Sequence, residues 1–169
     1  MLSLPIYCII GNMKIRSLKQ KHGSGCGPTS IKMVTDYFGI KMLQKDIEKF
    51  CGDWKKGGTN NKKLVTALKK TSLSVEASYN SDWKDLVAQN NNDKVIVVSW
   101  MLRGYIGHFS VVEKIDKKHI WLADPESGKI IKLQKIIFMR LWFDYDDLWY
   151  PERNSDFKLH WMAIVSKKK

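Results

Sequence analysis

One cysteine of this chain stands where a thiol can become a nucleophile. Cys26 lies between two glycines in segment 23–30 and is followed by Pro28, a pattern that predicts a glycine-rich loop running into a helix. The thiolate is the attacking form of cysteine, and the free N–H groups and macrodipole of a helix N-terminus stabilise negative charge. Small neighbours also let a substrate backbone approach closely. Cys26 is therefore predicted to be a nucleophile; the alternative is an ordinary buried cysteine in a tight loop.

A cysteine nucleophile needs a base within reach, and the base needs a third group that holds its tautomer. His108 begins a predicted strand at 108–115, and Asp124 ends the strand predicted at 119–123. A tight turn at 116–118 joins the two strands, so this two-strand meander returns Asp124 to the side of His108. We therefore predict His108 as the base and Asp124 as its orienting group; the alternative for a lone histidine at a strand start is a structural role.

The other three histidines fit the role of base less well. His22 precedes Cys26 by four residues, but it would have to bend back across the loop and has no obvious orienting partner. His119 and His160 are predicted to lie within strands, as structural or exposed residues. His22 remains the rival base at this stage.

The remaining cysteines give no sign of a disulfide framework or a metal site. The chain has three cysteines, an odd number, and no CxxC pair. Cys8 and Cys51 lie in apolar or amphipathic runs, which favour ordinary packing. No metal and no cofactor is predicted.

Length and composition predict a folded protein without a membrane span. The chain has 169 residues, 44% hydrophobic content and seven tryptophans, which exclude a disordered tail as the whole protein. No apolar run approaches the roughly 18 to 20 residues that cross a bilayer. The run 4–10 contains Pro5 and lacks a basic flank, so it is predicted to be an N-terminal strand or extended arm rather than a signal peptide. A cytoplasmic location follows as the expectation.

The charge balance of the chain favours anionic partners. A net charge of +12 comes from 29 basic and 17 acidic residues, and most of the excess is lysine. Such surfaces are more often solubilising than functional, so nucleic acid is a partner that the sequence admits but does not favour. The exception is segment 143–156, where acidic and aromatic residues alternate. It is predicted to be an added element, either a surface loop or a flap that contacts substrate.

The order of the predicted elements defines the fold class. The first predicted helix starts in the glycine-rich loop and stops at Gly39. Four more helices are predicted: at 43–50, after Thr59 as N-cap, at 82–89 behind a Ser81 cap, and at 133–142. The further strands are predicted at 73–78, 95–100, 129–132 and 159–165. Strand 95–100 is a continuous β-branched run, as expected of a strand covered on both faces. Helices packed on a C-terminal antiparallel sheet give one α+β domain over 1–169, with an N-terminal arm at 1–19.

A fourth residue completes a pattern that belongs to a known family. Gln20 stands six residues before Cys26, close enough to present its amide beside the Cys26 backbone N–H, and two such donors stabilise the oxyanion of acyl transfer. With these residues the chain resembles the bacterial double-glycine leader peptidases, papain-like domains that process bacteriocin precursors and are usually fused to an ABC exporter. The matching motifs follow the family's order: Gln20 with 26–30, then 107–112, then 123–125 with Gly128, then Phe138 and Trp142.

The resemblance implies a fold, an activity and a role for each site residue. It implies a papain-like fold, with Gln20 as oxyanion donor, Cys26 as nucleophile, His108 as base and Asp124 as orienter, here in a free-standing domain without the exporter. The function expected is a cysteine peptidase that cuts a peptide bond, in a leader or an isopeptide, through a Cys26 thioester. The family's usual acidic residue before the cysteine is Gly25 here.

Two other functions stay open at this point. The same site would serve a transpeptidase, acyltransferase or amidase, because only the acceptor of the acyl group differs. The lysine-rich surface also fits a basic module that binds nucleic acid or protein on an inactive peptidase fold. The partner expected first is a peptide or protein substrate, and the sequence does not define the oligomeric state.

Overall fold

A computed structural model describes residues 14–145 and 150–168. Cys8, the arm predicted at 4–10 and residues 146–149 of the acidic aromatic segment lie outside the described residues. The helices are α1 Cys26–Tyr37, α2 Gln44–Phe50, α3 Trp54–Gly57, α4 Asn61–Lys69, α5 Trp83–Gln89 and α6 Lys135–Leu141, with a 3-10 turn at Asn154–Asp156. The strands are β1 Leu73–Ser78, β2 Lys94–Leu102, β3 Ile106–Ile115, β4 His119–Asp124, β5 Lys129–Gln134, β6 Phe143–Tyr145, β7 Phe157–Leu159 and β8 Met162–Lys167.

Six of the strands form one antiparallel sheet. Their order is β1-β8-β2-β3-β4-β5, so the last strand returns to lie between β1 and β2. Strands β2 to β5 follow one another as a meander in which each neighbour is antiparallel. The short strands β6 and β7 pair separately. Four helices precede or flank the first strand and the sheet follows, which confirms the predicted α+β class.

The sheet is covered on both faces by apolar side chains. Val95 and Val97 of β2 belong to the cluster packed under α1, α2 and α4. Ile96 and Val98 of the same strand belong to the cluster that includes residues of α5 and α6. Successive side chains of a strand point to opposite faces, so a strand buried on both sides is continuously apolar. The prediction that 95–100 is covered on both faces is confirmed.

Helix α1 is fixed on the helical face of the sheet by apolar packing and by one hydrogen bond to β3. Ile31 and Val34 have no exposed surface, and the Ser30 hydroxyl donates to the backbone carbonyl of Phe109 at 3.4 Å. The helix ends as predicted at Gly39, whose φ of +73° is a left-handed conformation that glycine adopts without a Cβ clash. The start of α1 is therefore held over the beginning of β3.

Two predicted helix caps are wrong, each by one residue. Asn60, not Thr59, caps α4, and its Oδ1 accepts from the backbone N–H of Lys63 at 2.9 Å. Asp82, not Ser81, caps α5 and forms a reciprocal capping box with Asp85. A carboxylate or amide at the position nearer the helix satisfies the free N–H groups that the preceding hydroxyl would otherwise take.

Three other boundaries differ from the sequence prediction because strand pairing decides them. Leu133 and Gln134, predicted to begin a helix, pair with β4 and extend β5. Strand β3 begins at Ile106 rather than at His108, since the pairing with β2 reaches that residue. His160 lies in the turn between β7 and β8 with a φ of +47°, not within a strand as predicted.

A bilayer-spanning helix is not found in the described part of the chain, where each helix is too short or too polar to cross a membrane.

Candidate active site

The Cys26 thiol occupies the first residue of α1. Gly25 is the N-cap, and the first intrahelical hydrogen bond runs from the Thr29 N–H to the Gly25 carbonyl at 3.1 Å. Pro28 has no N–H, and the N–H groups that precede it have no acceptor within the helix. The Cys26 side chain is buried, with 8% of its surface exposed, yet it lines an open cleft. The predicted loop-to-helix setting of Cys26 is therefore present.

His108 and Asp124 form a buried hydrogen-bonded pair on neighbouring strands. The His108 Nε2 lies 2.6 Å from the Asp124 Oδ1, and the two residues are 3% and 2% exposed. Asp124 is the last residue of β4, and the antiparallel pairing of β3 with β4 returns it to the side of His108. The pairing places the imidazole and the carboxylate as the meander argument predicts.

The second ring nitrogen of His108, Nδ1, is the one available to the Cys26 thiol. The Cys26 thiol lies near enough to the His108 imidazole to raise its pKa through hydrogen bonding and charge. Because Nε2 is occupied by Asp124, Nδ1 is the nitrogen left for the thiol. The structure thus brings Cys26, His108 and Asp124 into one continuous chain of contacts.

The shifted pKa values in this chain follow from burial and hydrogen bonding. Burial alone would lower the pKa of His108, but the hydrogen bonds to Asp124 and Cys26 raise it to about 9. Burial alone would raise the pKa of Asp124, but its hydrogen bonds to His108 and Ser127 lower it to about 2. At neutral pH the pair is therefore an imidazolium and a carboxylate. A cation held beside a thiol favours the nucleophilic thiolate.

The turn that follows Asp124 fixes its carboxylate. The Asp124 Oδ2 accepts from the Ser127 N–H at 2.9 Å, and Oδ1 accepts from the Glu126 N–H at 3.3 Å. The Gly128 N–H closes the turn on the Asp124 carbonyl at 2.8 Å. Gly128 has a φ of +70°, and a Cβ there would meet the Lys19 Cβ at 2.7 Å. Glycine at this position therefore allows the turn to pack against the segment that leads to Cys26.

Gln20 lies in that same segment and contacts the turn. Its backbone N–H donates to the Pro125 carbonyl at 2.8 Å. Its side-chain Nε2 donates to the Gly23 carbonyl at 3.1 Å and to the Glu126 Oε2 at 3.0 Å. Gln20 thus lies in the loop that leads to Cys26, with both amide hydrogens bound to protein acceptors, and its role as oxyanion donor stays a prediction.

Gly25 stands where the resembling family usually has an acidic residue, and the loop around it is tight. A Cβ on Gly25 would lie 3.0 Å from the His22 carbonyl oxygen and 3.3 Å from the Gln20 Cβ. Both distances are shorter than ordinary van der Waals contact. A side chain at residue 25 would therefore require these neighbours to shift by a few tenths of an ångström.

The rival histidines lie outside the chain of contacts. His22 is exposed, and its Nδ1 accepts from the Ser24 N–H at 3.2 Å. His119 faces Asp116 at 3.6 Å on the far end of β4. His160 stacks on Trp142 and lies 2.9 Å from the Ser81 carbonyl. Among the described histidines, His108 is the one that contacts Cys26.

The cleft beside Cys26 includes residues that the sequence did not single out as site residues. It has a volume of about 690 Å³ and is lined by the loop at Gly23, by the segment 56–60 and by the hairpin between β2 and β3. Asp144 and Tyr145, from the acidic aromatic segment, also line it. The Asp144 carboxylate accepts from the Ser99 hydroxyl at 2.6 Å and lies against Gly107, next to His108. The described part of this segment therefore forms one wall of the cleft.

Trp100 is a second neighbour of the site that sequence reasoning missed. It is paired across the strands with His108, and the two rings meet edge to face with centroids 5.9 Å apart. Its indole N–H donates to the Ser110 hydroxyl at 3.1 Å. Both rings are buried, and the indole packs against the imidazole. In the sequence, Trp100 can be recognised only as the last residue of the β-branched run 95–100. Its contact with His108 depends on the register between β2 and β3.

The described residues include no cluster of three or more histidine, cysteine, aspartate or glutamate side chains suited to a metal ion.

The architecture is that of bacterial double-glycine peptidase domains, which confirms the predicted fold. The structure is similar to a double-glycine-motif protease of an AMS/PCAT transporter, solved with its leader peptide, with a TM-score of 0.71 and 18% identity over 94% of this chain and 95% of that one. It is similar to the peptidase domain of Streptococcus ComA, a bifunctional ABC transporter, with a TM-score of 0.68 and 16% identity over 92% and 100% of the two chains. A C39-like peptidase from Bacillus anthracis aligns with a TM-score of 0.67 and 15% identity over 95% and 98%.

The chain belongs to the peptidase C39 family, whose model matches residues 14–146. The predicted resemblance to double-glycine leader peptidases is therefore confirmed. A protein of Methanothermobacter marburgensis described as uncharacterized is 26% identical over 125 residues, which cover 73% of this chain and 80% of that protein. Family and fold together support a peptidase.

Proposed function

We propose that this protein is a cysteine peptidase that hydrolyses a peptide bond through a Cys26 thioester. The observation that carries the proposal is the continuous contact from Cys26 through His108 to Asp124, with the thiol at a helix N-terminus and on an open cleft. A nucleophile, a base and an orienting group are the three parts that acyl transfer by a thiol requires.

The geometry supports a sequence of steps in which each group has one task. The Cys26 sulfur attacks the peptide carbonyl, and a tetrahedral oxyanion forms beside the start of α1. The His108 imidazolium gives its proton to the leaving amine as the C–N bond breaks, which leaves a thioester on Cys26. A water then attacks the thioester carbonyl and gives its proton to His108, and the C–S bond breaks to release the acid. Asp124 holds the orientation of the ring throughout, and the tautomer of the ring while it is neutral.

Two donors are available for the oxyanion in this proposal. The Cys26 backbone N–H lies at the start of α1, where the helix offers it no acceptor. The Gln20 amide is the second donor, and in this structure its N–H groups donate to the Gly23 carbonyl and the Glu126 carboxylate. One of its N–H groups must turn to the oxyanion as charge develops there, because donors aimed at the transition state are what accelerate the step.

The substrate that we propose is a peptide. The related transporter protease was solved with a leader peptide. In this chain the cleft is open enough for an extended backbone, and Cys26 lies between two glycines that add no side chain to its rim. A carboxylate, Asp144, and an aromatic ring, Tyr145, line the same cleft.

The test is cleavage of peptides followed by mass spectrometry. The purified chain is incubated with a proteome-derived peptide library and with a synthetic peptide that contains a Gly-Gly site. We expect new C-termini with the wild type and none with a folded Cys26→Ala variant. Cleavage in water enriched with ¹⁸O should label each new C-terminus, because water is the acceptor of the acyl group.

Two outcomes would overturn the proposal. Equal cleavage by wild type and Cys26→Ala would remove Cys26 from the reaction. The second outcome combines two observations. With hydroxylamine or glycinamide added, the products carry that amine, and without it no ¹⁸O-labelled C-terminus appears. This would assign the site to acyl transfer instead of hydrolysis.

A further inference from the structure

The turn at 124–128 contacts both halves of the proposed site. Through Asp124 it holds the His108 imidazole. Through the Pro125 carbonyl and the Glu126 carboxylate it holds the backbone and the side chain of Gln20. One five-residue turn therefore connects the orienting group of the base with the residue proposed as oxyanion donor.

The hydrogen bonds of the Gln20 amide define its orientation. Nε2 has two hydrogens, one for the Gly23 carbonyl and one for the Glu126 carboxylate. The reverse orientation would place the amide oxygen against two acceptors, which is repulsive, so the contacts fix which end is nitrogen. The Gln20 Oε1 is buried and has no hydrogen-bond partner in the described part of the chain. The amide is thus held by its nitrogen alone.

The two acceptors of Nε2 differ in strength and in place. A carboxylate is a stronger acceptor than a backbone carbonyl, because a hydrogen bond to a charged acceptor is roughly twice as strong as one between neutral groups. The Gly23 carbonyl is a neutral acceptor, and Gly23 lines the cleft beside Cys26. The N–H on Gly23 is therefore both the weaker bound and the nearer to the substrate.

We propose that Glu126 is a positioning residue that anchors the Gln20 amide, a role that rests on the proposed function. Glu126 keeps one N–H, and the other N–H leaves the Gly23 carbonyl for the oxyanion when the tetrahedral intermediate forms. Without the anchor, the amide samples rotamers that aim no hydrogen at the cleft. Glu126 then contributes to the reaction only through Gln20.

Arg103 provides the matched control because it is the other partner of Glu126. Its Nη2 lies 3.7 Å from the Glu126 Oε1, and the two side chains are 59% and 40% exposed. Exposed pairs of this kind contribute little to stability because solvent screens them. Removing Arg103 leaves the contact between Glu126 and Gln20 in place, so Arg103→Gln should keep the wild-type rate within about twofold.

The experiment is a double-mutant cycle on the full chain, with the p-nitrophenyl ester of N-acetylglycylglycine as an activated acyl donor and Cys26→Ala as the blank. Glu126→Ala should lower kcat roughly tenfold with little change in KM, whereas Gln20→Ala should lower it roughly 100-fold or more, as loss of an oxyanion donor does. Glu126→Gln, whose amide oxygen still accepts from Gln20, should recover most of the loss. In the Gln20→Ala background, Glu126→Ala should have no further effect.

The outcomes separate this inference from the proposed function. A wild-type rate equal to that of Cys26→Ala would overturn the proposed function and the role of Glu126 with it. A clear wild-type rate with the same tenfold loss from Glu126→Ala in both backgrounds would overturn the role of Glu126 alone, because the effect would not pass through Gln20.

A second measurement does not depend on activity. In a ¹⁵N-¹H spectrum the Gln20 side-chain amide pair is assigned by its loss in Gln20→Ala. Glu126→Ala should shift that pair and leave the His108 ring signals unchanged. An unshifted Gln20 pair in folded Glu126→Ala would show that the carboxylate does not hold the amide, and would overturn the inference.

Discussion

Cys26 and Cys51 are both buried thiols of the same apolar cluster, yet only one lies at the proposed site. Cys26 begins α1, lines the cleft and contacts His108. Cys51 caps the end of α2, with 2% of its surface exposed, and burial raises the pKa of its thiol to about 12. The two differ in which end of a helix they occupy and in what faces the sulfur.

The comparison shows that burial alone does not decide the chemistry of a cysteine. A helix N-terminus offers free N–H groups to an anion, whereas a C-terminus offers carbonyl oxygens, which repel one. An imidazolium faces Cys26, and the surroundings of Cys51 include the carboxylate of Glu48, which also raises the pKa of its thiol. Position relative to the helix and to His108 therefore distinguishes the two thiols.

Alkylation tests the comparison most directly, and we expect its effect to be the largest. A pKa of about 12 makes the Cys51 thiolate roughly 1000-fold scarcer at pH 7 than that of a cysteine with an ordinary pKa, so iodoacetamide should modify Cys51 far more slowly than Cys26 in the folded protein. Peptide mapping by mass spectrometry measures both rates. Denaturant should remove the difference, and His108→Ala should slow Cys26 alone. Equal rates for Cys26 and Cys51 in the folded state would contradict the comparison.

Replacing the orienting carboxylate sharpens the comparison on the side of Cys26. Burial favours neutral His108, and the Asp124 bond opposes it, so Asp124→Asn should lower the pKa of His108 from about 9. His108 must be protonated to supply the leaving amine, so activity falls as pH rises through that pKa, and the alkaline limb of kcat/KM should move to lower pH in the variant. The rate itself should fall by on the order of 10²- to 10⁴-fold, as loss of a triad aspartate does elsewhere.

The measurement for Asp124→Asn is a pH-rate profile with a cleaved peptide amide. If the alkaline limb of kcat/KM stays near pH 9 in Asp124→Asn, the pKa of about 9 does not belong to the His108–Asp124 pair. Iodoacetamide labelling of Cys51 serves as the control, because the Asp124 change should leave its rate unaltered.

Two glycines near Cys26 offer the smallest expected effect and a matched pair of variants. A Cβ on Gly27 would lie 2.6 Å from the Thr59 Cβ, whereas a Cβ on Gly23 would meet nothing within 4 Å. Overpacking of this kind costs about 1–3 kcal/mol, so Gly27→Ala should lower the free energy of unfolding by that amount and displace the first turn of α1. Gly23→Ala should leave it nearly unchanged. Urea unfolding of the two variants makes the comparison, and equal stabilities would mean that the contact with Thr59 relaxes freely.

Much of the fold could be predicted from the sequence because its elements carry strong local patterns. The β-branched run of β2, the glycine stop of α1 and the turn residues after Asp124 each depend on neighbouring residues alone. The predictions are wrong where pairing with a distant strand sets the conformation. Leu133 was predicted to be helical but pairs with β4, and His160 was predicted to lie in a strand but lies in a turn. The two misplaced caps are single-residue choices between adjacent cap-forming residues.

The sequence by itself determined which residues could react and in what order they come. A cysteine between glycines before a helix, a histidine near the start of a strand and an aspartate closing the next are local features, and the tight turn between the strands brings the last two together. Only the tertiary structure decided that Cys26 lies beside His108, that Glu126 holds Gln20, that Trp100 packs against the imidazole and that Asp144 lines the cleft. These contacts join residues distant in the chain, and their distances depend on how α1 packs on the sheet and on the register of its strands, which local patterns do not specify.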